Sequence, residues 1–302
     1  MFLSLLGGLC LLTFSPSYQL TNVVFRSAKE ISTISDWSWP SRVNAGQLIT
    51  LPFADDLPHF MINGVPFSVV QKNQLQFAVA SVYGGATKRL SALVANKRAV
   101  LSGILFAPEV VIAREILTVE KAPLTSGNEL RLPASVVKRL GSAEEQKKQR
   151  DRDILSRALT GDATNLVTSC FERPVDSIVT SAFGRPRTLP SGRSYYHSGV
   201  DLRARTGKEI KSTGEGLVVY AGHMTVSGKN VVLSHGGGLF SRYLHLSEIK
   251  VKEGERVPAS TVVGLAGATG RVEAAHLHWE MIWKGQYADP LMLLKDWQEI
   301  CK

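Results

Sequence analysis

Apolar and polar residues alternate in short runs along most of this chain, and turn residues punctuate the runs. From about Asn44 to Val119 the period is two, as in Gln74-Leu75-Gln76-Phe77-Ala78-Val79. Phe60-Met61-Ile62-Asn63-Gly64-Val65-Pro66-Phe67 places Asn-Gly between two apolar arms, a pair that accepts the positive φ of a tight hairpin turn. A small β-sandwich over residues 40–125 is predicted. Leu132-Pro133 stops that pattern. Ser142-Ala143-Glu144-Glu145 has the form of a capping box, predicting a helix to about Leu159 inside a linker over 134–162, with Gly161 as its stop. Glu144 to Asp153 is nearly all charged or amide, so this half reads as a solvated spacer, while Ile154, Leu155 and Leu159 could dock the far end. From Cys170 onward come Gly216-Leu217-Val218-Val219-Tyr220, Asn230 to Leu233, Gly238 to Tyr243 and Thr261 to Leu265, short strands with glycine turns. They predict a compact antiparallel β-domain over 170–302, and a chain that is mostly β.

Composition changes this picture little. With 302 residues, 44% apolar and 20% charged, the chain is long enough for two domains with ordinary cores. The net charge of +9 points to an anionic partner or matrix, and no aromatic-interleaved basic motif marks a nucleic-acid module. Met1 to Phe14 is almost wholly apolar. That length suits a signal-peptide core better than a membrane span of about 20 residues, so residues 1–17 are either a removed leader or an anchor tethering the protein to the membrane. Export to the periplasm or cell envelope is the expectation. Leu9 is too bulky to precede a lipidated cysteine, so Cys10 goes with the leader.

The candidate chemistry is concentrated in one stretch. Six of the seven histidines fall between His197 and His278. On an extended strand His276 and His278 share a face while Leu277 points into packing, and His197 and Asp201 converge if their segment is extended. Two imidazoles and one carboxylate around an open fourth position describe a catalytic zinc site, leaving two histidines for proton chemistry. His235, before three glycines, belongs to a turn, and His223, after Gly222, to a loop. Gly236-Gly237-Gly238 and Gly267-Ala268-Thr269-Gly270 lack the Lys-Ser/Thr and helix of a phosphate loop and read as turns. No His-Glu-x-x-His is present, so a helix-borne zincin mechanism does not apply.

Asn230 to Gly236, Tyr243-Leu244-His245-Leu246-Ser247, Val263-Gly264, Gly267 to Gly270 and His276-Leu277-His278 together resemble the lysostaphin-type (LytM-type) zinc endopeptidases that cut peptidoglycan peptides. The resemblance runs from about Pro174 to Pro290. It implies His197, Asp201 and His278 as ligands of one zinc ion, and His276 and His245 as the catalytic pair. Peptidoglycan stem peptides are the implied partner. A non-catalytic wall-binding or amidase-activating module is the alternative, although no ligand position is substituted. Tyr220 to Lys229 and Leu277 to Tyr287 are candidate groove walls. The β-domain and its helix could restrain the enzyme or merely space it from the wall, and oligomeric state stays open. Once the leader is gone, Cys170 and Cys301 form an even pair, expected to bridge; two buried free thiols are the other reading.

Overall fold

The computed structural model describes residues 42–52, 59–62, 65–66, 68–70, 75–80, 89–95, 115–120, 128–129, 142–160, 169–189 and 191–301. The apolar leader, Asn63-Gly64, Leu132-Pro133 and Gly161 lie outside them. No helix among the described residues is long and apolar enough to cross a membrane.

Upstream, the two-residue period produces β1 (Arg42–Asn44), β2 (Gln47–Pro52), β3 (His59–Ile62), β4 (Val65–Pro66), β5 (Ser68–Val70), β6 (Leu75–Ala80), β7 (Arg89–Ala95), β8 (Glu115–Glu120) and β9 (Asn128–Glu129). One sheet has the order β1-β8-β7-β3-β4 and another β2-β6-β5. Ile62 stands opposite Val65, so β3 and β4 are joined by two residues, as Asn-Gly predicts. The pairing is not wholly antiparallel, because β1 runs parallel to β8.

The helix α1 (Ser142–Ala158) follows, and then thirteen strands: β10 (Val179–Ser181), β11 (Pro186–Thr188), β12 (Ser194–Tyr196), β13 (Val200–Arg203), β14 (Glu209–Lys211), β15 (Gly216–Met224), β16 (Gly228–Ser234), β17 (Leu239–Leu246), β18 (Glu248–Ile249), β19 (Arg256–Val257), β20 (Val262–Leu265), β21 (His276–Trp283) and β22 (Gln286–Ala288). The chain closes with α2 (Pro290–Asp296) and α3 (Gln298–Cys301). The main sheet has the order β10-β13-β21-β17-β16-β15-β19, with β22 also on β21. β14, β20 and β18 make a second sheet, while β12 and β11 are joined by β9, which reaches in from upstream as a parallel partner. His223 lies on β15, exposed, rather than in a loop. Gly222 misleads because it sits inside the strand, where a side chain would meet the Tyr220 ring.

Both faces of the main sheet are covered, which is why β17 is buried at all eight positions instead of alternating. One face carries Val231, Leu233, Tyr243, Leu277, Trp279, Met281 and Trp283 into the principal core. The other carries Val232, Phe240 and Ile282, against which Leu155 of α1 and Leu159, just past its end, are laid. The helix is therefore docked. Even its polar half is engaged, since the Asp151 carboxylate accepts the Thr225 backbone N–H at 2.6 Å.

The upstream β2-β6-β5 sheet shares the principal core through Leu48, Ile49 and Val79. Ser68 Oγ accepts the Trp283 indole N–H at 2.8 Å and donates to the Gly237 carbonyl at 2.6 Å. Gly46, at φ +85°, lets the backbone close on Asp289, whose N–H donates to the Gly46 carbonyl at 2.9 Å. Asp289 in turn caps α2 by accepting from the Leu291 and Met292 N–H groups. Cys170 and Cys301 are bridged, Cα to Cα 4.9 Å, across 131 residues.

Candidate metal centre

On β21 the period of two places His276, His278, Glu280 and Ile282 on one face, the face on which α1 docks further along. Antiparallel pairing with β13 sets Asp201 opposite His278 and Arg203 opposite His276. His197 leaves β12 and is folded back by two backbone hydrogen bonds, His197 N–H to the Arg185 carbonyl and Gly184 N–H to the His197 carbonyl, each 2.9 Å. Gly199 lets this connection lie directly on β21; a Cβ there would run into the Trp279 carbonyl. His245 stands near the end of β17 with φ 64°, a left-handed backbone that swings its ring toward His276, 5.1 Å between centroids.

Each of the four rings is held from outside by one nitrogen. His197, His245 and His276 point Nδ1 at the carbonyls of Ala182, Thr269 and Ala274, at 2.8, 2.9 and 2.8 Å. A carbonyl only accepts, so those Nδ1 atoms carry hydrogen and Nε2 is left bare. His278 is turned the other way, giving Nε2–H to Glu280 Oε1 at 3.1 Å and leaving Nδ1 bare. His197 Nε2, His278 Nδ1 and Asp201 Oδ1 then converge, with separations of 2.9, 2.7 and 3.1 Å. Three electron-pair donors this close repel one another unless a cation lies among them. A proton can fill that place: burial lowers the His278 pKa, but hydrogen bonds to Asp201 and Glu280 outweigh it and push it up to about 9. A metal ion fits the same point, because all three ligand atoms lie within 4.8 Å of one another and all three residues are buried. Of the two remaining histidines, His276 brings Nε2 to 3.5 Å from Asp201 Oδ1. Burial, then repulsion from His278 and His276, lowers His245 to about 3, so it is neutral near pH 7.

Around these residues lies a shell that sequence reasoning did not assign. Burial raises the Glu280 pKa, but the bonds from His278, Arg242 and Ser198 hold it down at about 2. Ser198 Oγ donates to Glu280 Oε1 at 2.5 Å, and Arg242 pairs with Oε2 at 3.3 Å. Arg242 is itself anchored on Asn230 Oδ1 and Ser227 Oγ at 3.1 and 2.7 Å. Arg187 holds Asp201 Oδ2 at 2.5 Å and Ser181 Oγ at 2.8 Å. The available signal was the period of two, which continues from His276 and His278 to Glu280. The centre opens into a groove of about 1580 Å³. Met224, Val226, Ser227 and Tyr287 line it within the expected walls, whereas α1, the β11–β12 hairpin and residues 271–275 are walls the pattern did not announce.

The β-sheet presents two imidazoles and a carboxylate as an open three-donor site, beside two further histidines on a long groove, an arrangement suited to metal-assisted hydrolysis. Residues 195–290 match Peptidase family M23. The Vibrio cholerae peptidoglycan DD-endopeptidase ShyA is 40% identical over 120 residues, 38% of this chain and 28% of ShyA. ShyB of the same organism is 36% identical over 134 residues, 43% of this chain and 32% of ShyB. The similarity to these relatives thus spans a third or less of their length. A crystal structure of a candidate peptidase M23 from Pseudomonas aeruginosa shares the fold with a TM-score of 0.61 at 23% identity, covering 83% of this chain and 94% of that one.

Proposed function

We propose that this protein is an exported zinc-dependent endopeptidase that hydrolyses the peptide cross-links of bacterial peptidoglycan. The observation that carries this reading is the convergence of three bare donor atoms, His197 Nε2, Asp201 Oδ1 and His278 Nδ1, beside two further imidazoles. An N2O donor set with an open position suits zinc. When bound there, the metal supplies Lewis acidity that activates water and polarises the scissile carbonyl. His197, Asp201 and His278 hold it, and Glu280 and Arg187 hold two of those ligands in place. His276 takes a proton from the attacking water at Nε2, because its Nδ1–H is already committed to Ala274, and returns that proton to the leaving amine. His245 also presents a bare Nε2, so it accepts from the water and shares the proton traffic rather than donating to an oxyanion. The names of ShyA and ShyB support peptidoglycan as the substrate. The Cys170–Cys301 bridge favours an oxidising compartment, and the apolar stretch at residues 1–17 favours export.

Digestion of purified peptidoglycan, with the fragments identified by mass, tests the reading. Cross-linked dimers converted to monomers by protein holding about one zinc per chain is the expected result. Intact cross-links with fully metal-loaded protein would instead support an activator or wall-binding module.

A further inference from the structure

Along β13, Val200 and Leu202 are fully buried in the core, while Asp201 and Arg203 point to the opposite face. The register with β21 makes Arg203 the cross-strand neighbour of His276, one rung beyond the Asp201–His278 pair. Residues directly opposite on antiparallel strands have Cβ atoms about 4.5–5.5 Å apart. Arg203 is thus built beside the proposed base, exposed and lining the groove.

Four other cations on the groove are already used. Arg187 is committed to Asp201 and Arg242 to Glu280, while Lys148 and Arg152 pair with Glu145 on α1. The Arg203 guanidinium has no ion pair or side-chain hydrogen bond with any described residue; only its backbone is engaged, by Ile178 and Ser177. Arg185, Arg193 and Arg271 line the same groove in the same condition, but none of them is the cross-strand neighbour of a site histidine. The lining carboxylates cannot answer this charge. Asp201 and Glu280 are bound within the centre, Asp151 is engaged by Thr225, and Glu273 already has a partner. A guanidinium fork matches a carboxylate with two parallel hydrogen bonds, which a neutral amide cannot reproduce.

From this juxtaposition we infer that Arg203 is a specificity-determining residue that binds a carboxylate of the substrate on a residue next to the scissile bond. The preferred substrate is therefore an acidic peptide with its carboxylate free. The inference takes the proposed peptidase reading for what is cleaved and adds the charge that substrate must carry. The carboxylate can come from a side chain or from a free C-terminus.

Synthetic peptide dimers of the cross-link type, prepared in three forms, distinguish these sources: all carboxylates free, side-chain carboxylates amidated, and C-terminal carboxylates amidated. Binding is measured with the full-length His276→Ala protein and cleavage with the unsubstituted protein, each with and without Arg203→Gln. Amidation of one carboxylate class should weaken binding and lower kcat/KM about fivefold, the upper end for an exposed ion pair. Arg203→Gln should erase that difference, and Arg203→Lys should restore part of it. Equal binding of all three forms, or a preference that survives Arg203→Gln, would overturn the subsite. Absence of cleavage in every form would count against the peptidase reading alone, because the binding ratios still decide the subsite.

Discussion

His278 on β21 and His235 just past the end of β16 are both buried, 6% and 1% exposed, yet their surroundings serve opposite ends. His235 follows β16 at the predicted turn and belongs to a network on the face with Ser241 and Tyr243. Its Nδ1 donates to the Glu215 carbonyl at 2.6 Å, and its Nε2 meets Ser241 Oγ at 2.8 Å. Ser241 continues to Tyr243 Oη at 2.9 Å, which accepts the Thr213 N–H at 2.7 Å. Phe171 packs against the His235 ring on one side and Trp297 on the other, next to the Cys170–Cys301 bridge. Every donor there meets an acceptor, and the network is closed. On the other face, His278 gives the hydrogen of its outer nitrogen to Glu280, while its inner nitrogen meets two more electron-pair donors, His197 Nε2 and Asp201 Oδ1, at a point that only a proton or a metal ion fills, beside the groove. Burial and hydrogen bonding alone therefore do not mark a functional histidine. Convergence of unsatisfied lone pairs does.

This contrast can be broken at either network. On the open side, Glu280→Gln keeps the shape but removes the charge that fixes the His278 tautomer. Metal affinity, measured by chelator competition, should fall about 10- to 100-fold, and the buried Arg242, left without its carboxylate, should lower the melting temperature as well. Unchanged affinity would mean that Glu280 only neutralises Arg242. On the closed side, Tyr243→Phe leaves the Thr213 N–H without its acceptor and should cost about 1–2 kcal/mol in denaturant unfolding, with metal content unaltered. Loss of metal in that variant would show that the two faces are coupled and the distinction is false.

The parts of this design that the sequence carried are local. The His276-Leu277-His278 alternation, the short glycine-bounded strands, the Ser142 helix start and the single even cysteine pair all depend on neighbours a few residues apart or on counting. What escaped depends on long-range placement. Pairing of β13 with β21 decides that Asp201 meets His278 and that Arg203 meets His276, and no spacing in either strand encodes that register. The positive φ of His245 falls on a residue type that does not advertise it. The charged half of α1 reads as solvated because its one buried commitment, Asp151 to the Thr225 backbone, is made 74 residues away. Upstream, the alternation predicts strands correctly but cannot reveal that Leu48, Ile49 and Val79 share a core with the distant Trp283 and Trp297.

His276 and His278, neighbours on one face of one strand, have different work in the proposed mechanism, and measuring zinc content and turnover on the same folded preparations of His276→Ala and His278→Ala separates the two roles. His278→Ala leaves the ion two protein donors, so both zinc and activity should be lost. His276→Ala removes no proposed ligand, so about one zinc per chain should remain while the rate falls about 10² to 10⁴-fold, the usual contribution of a positioned acid or base. Loss of zinc from His276→Ala with retention in His278→Ala would contradict the assignment.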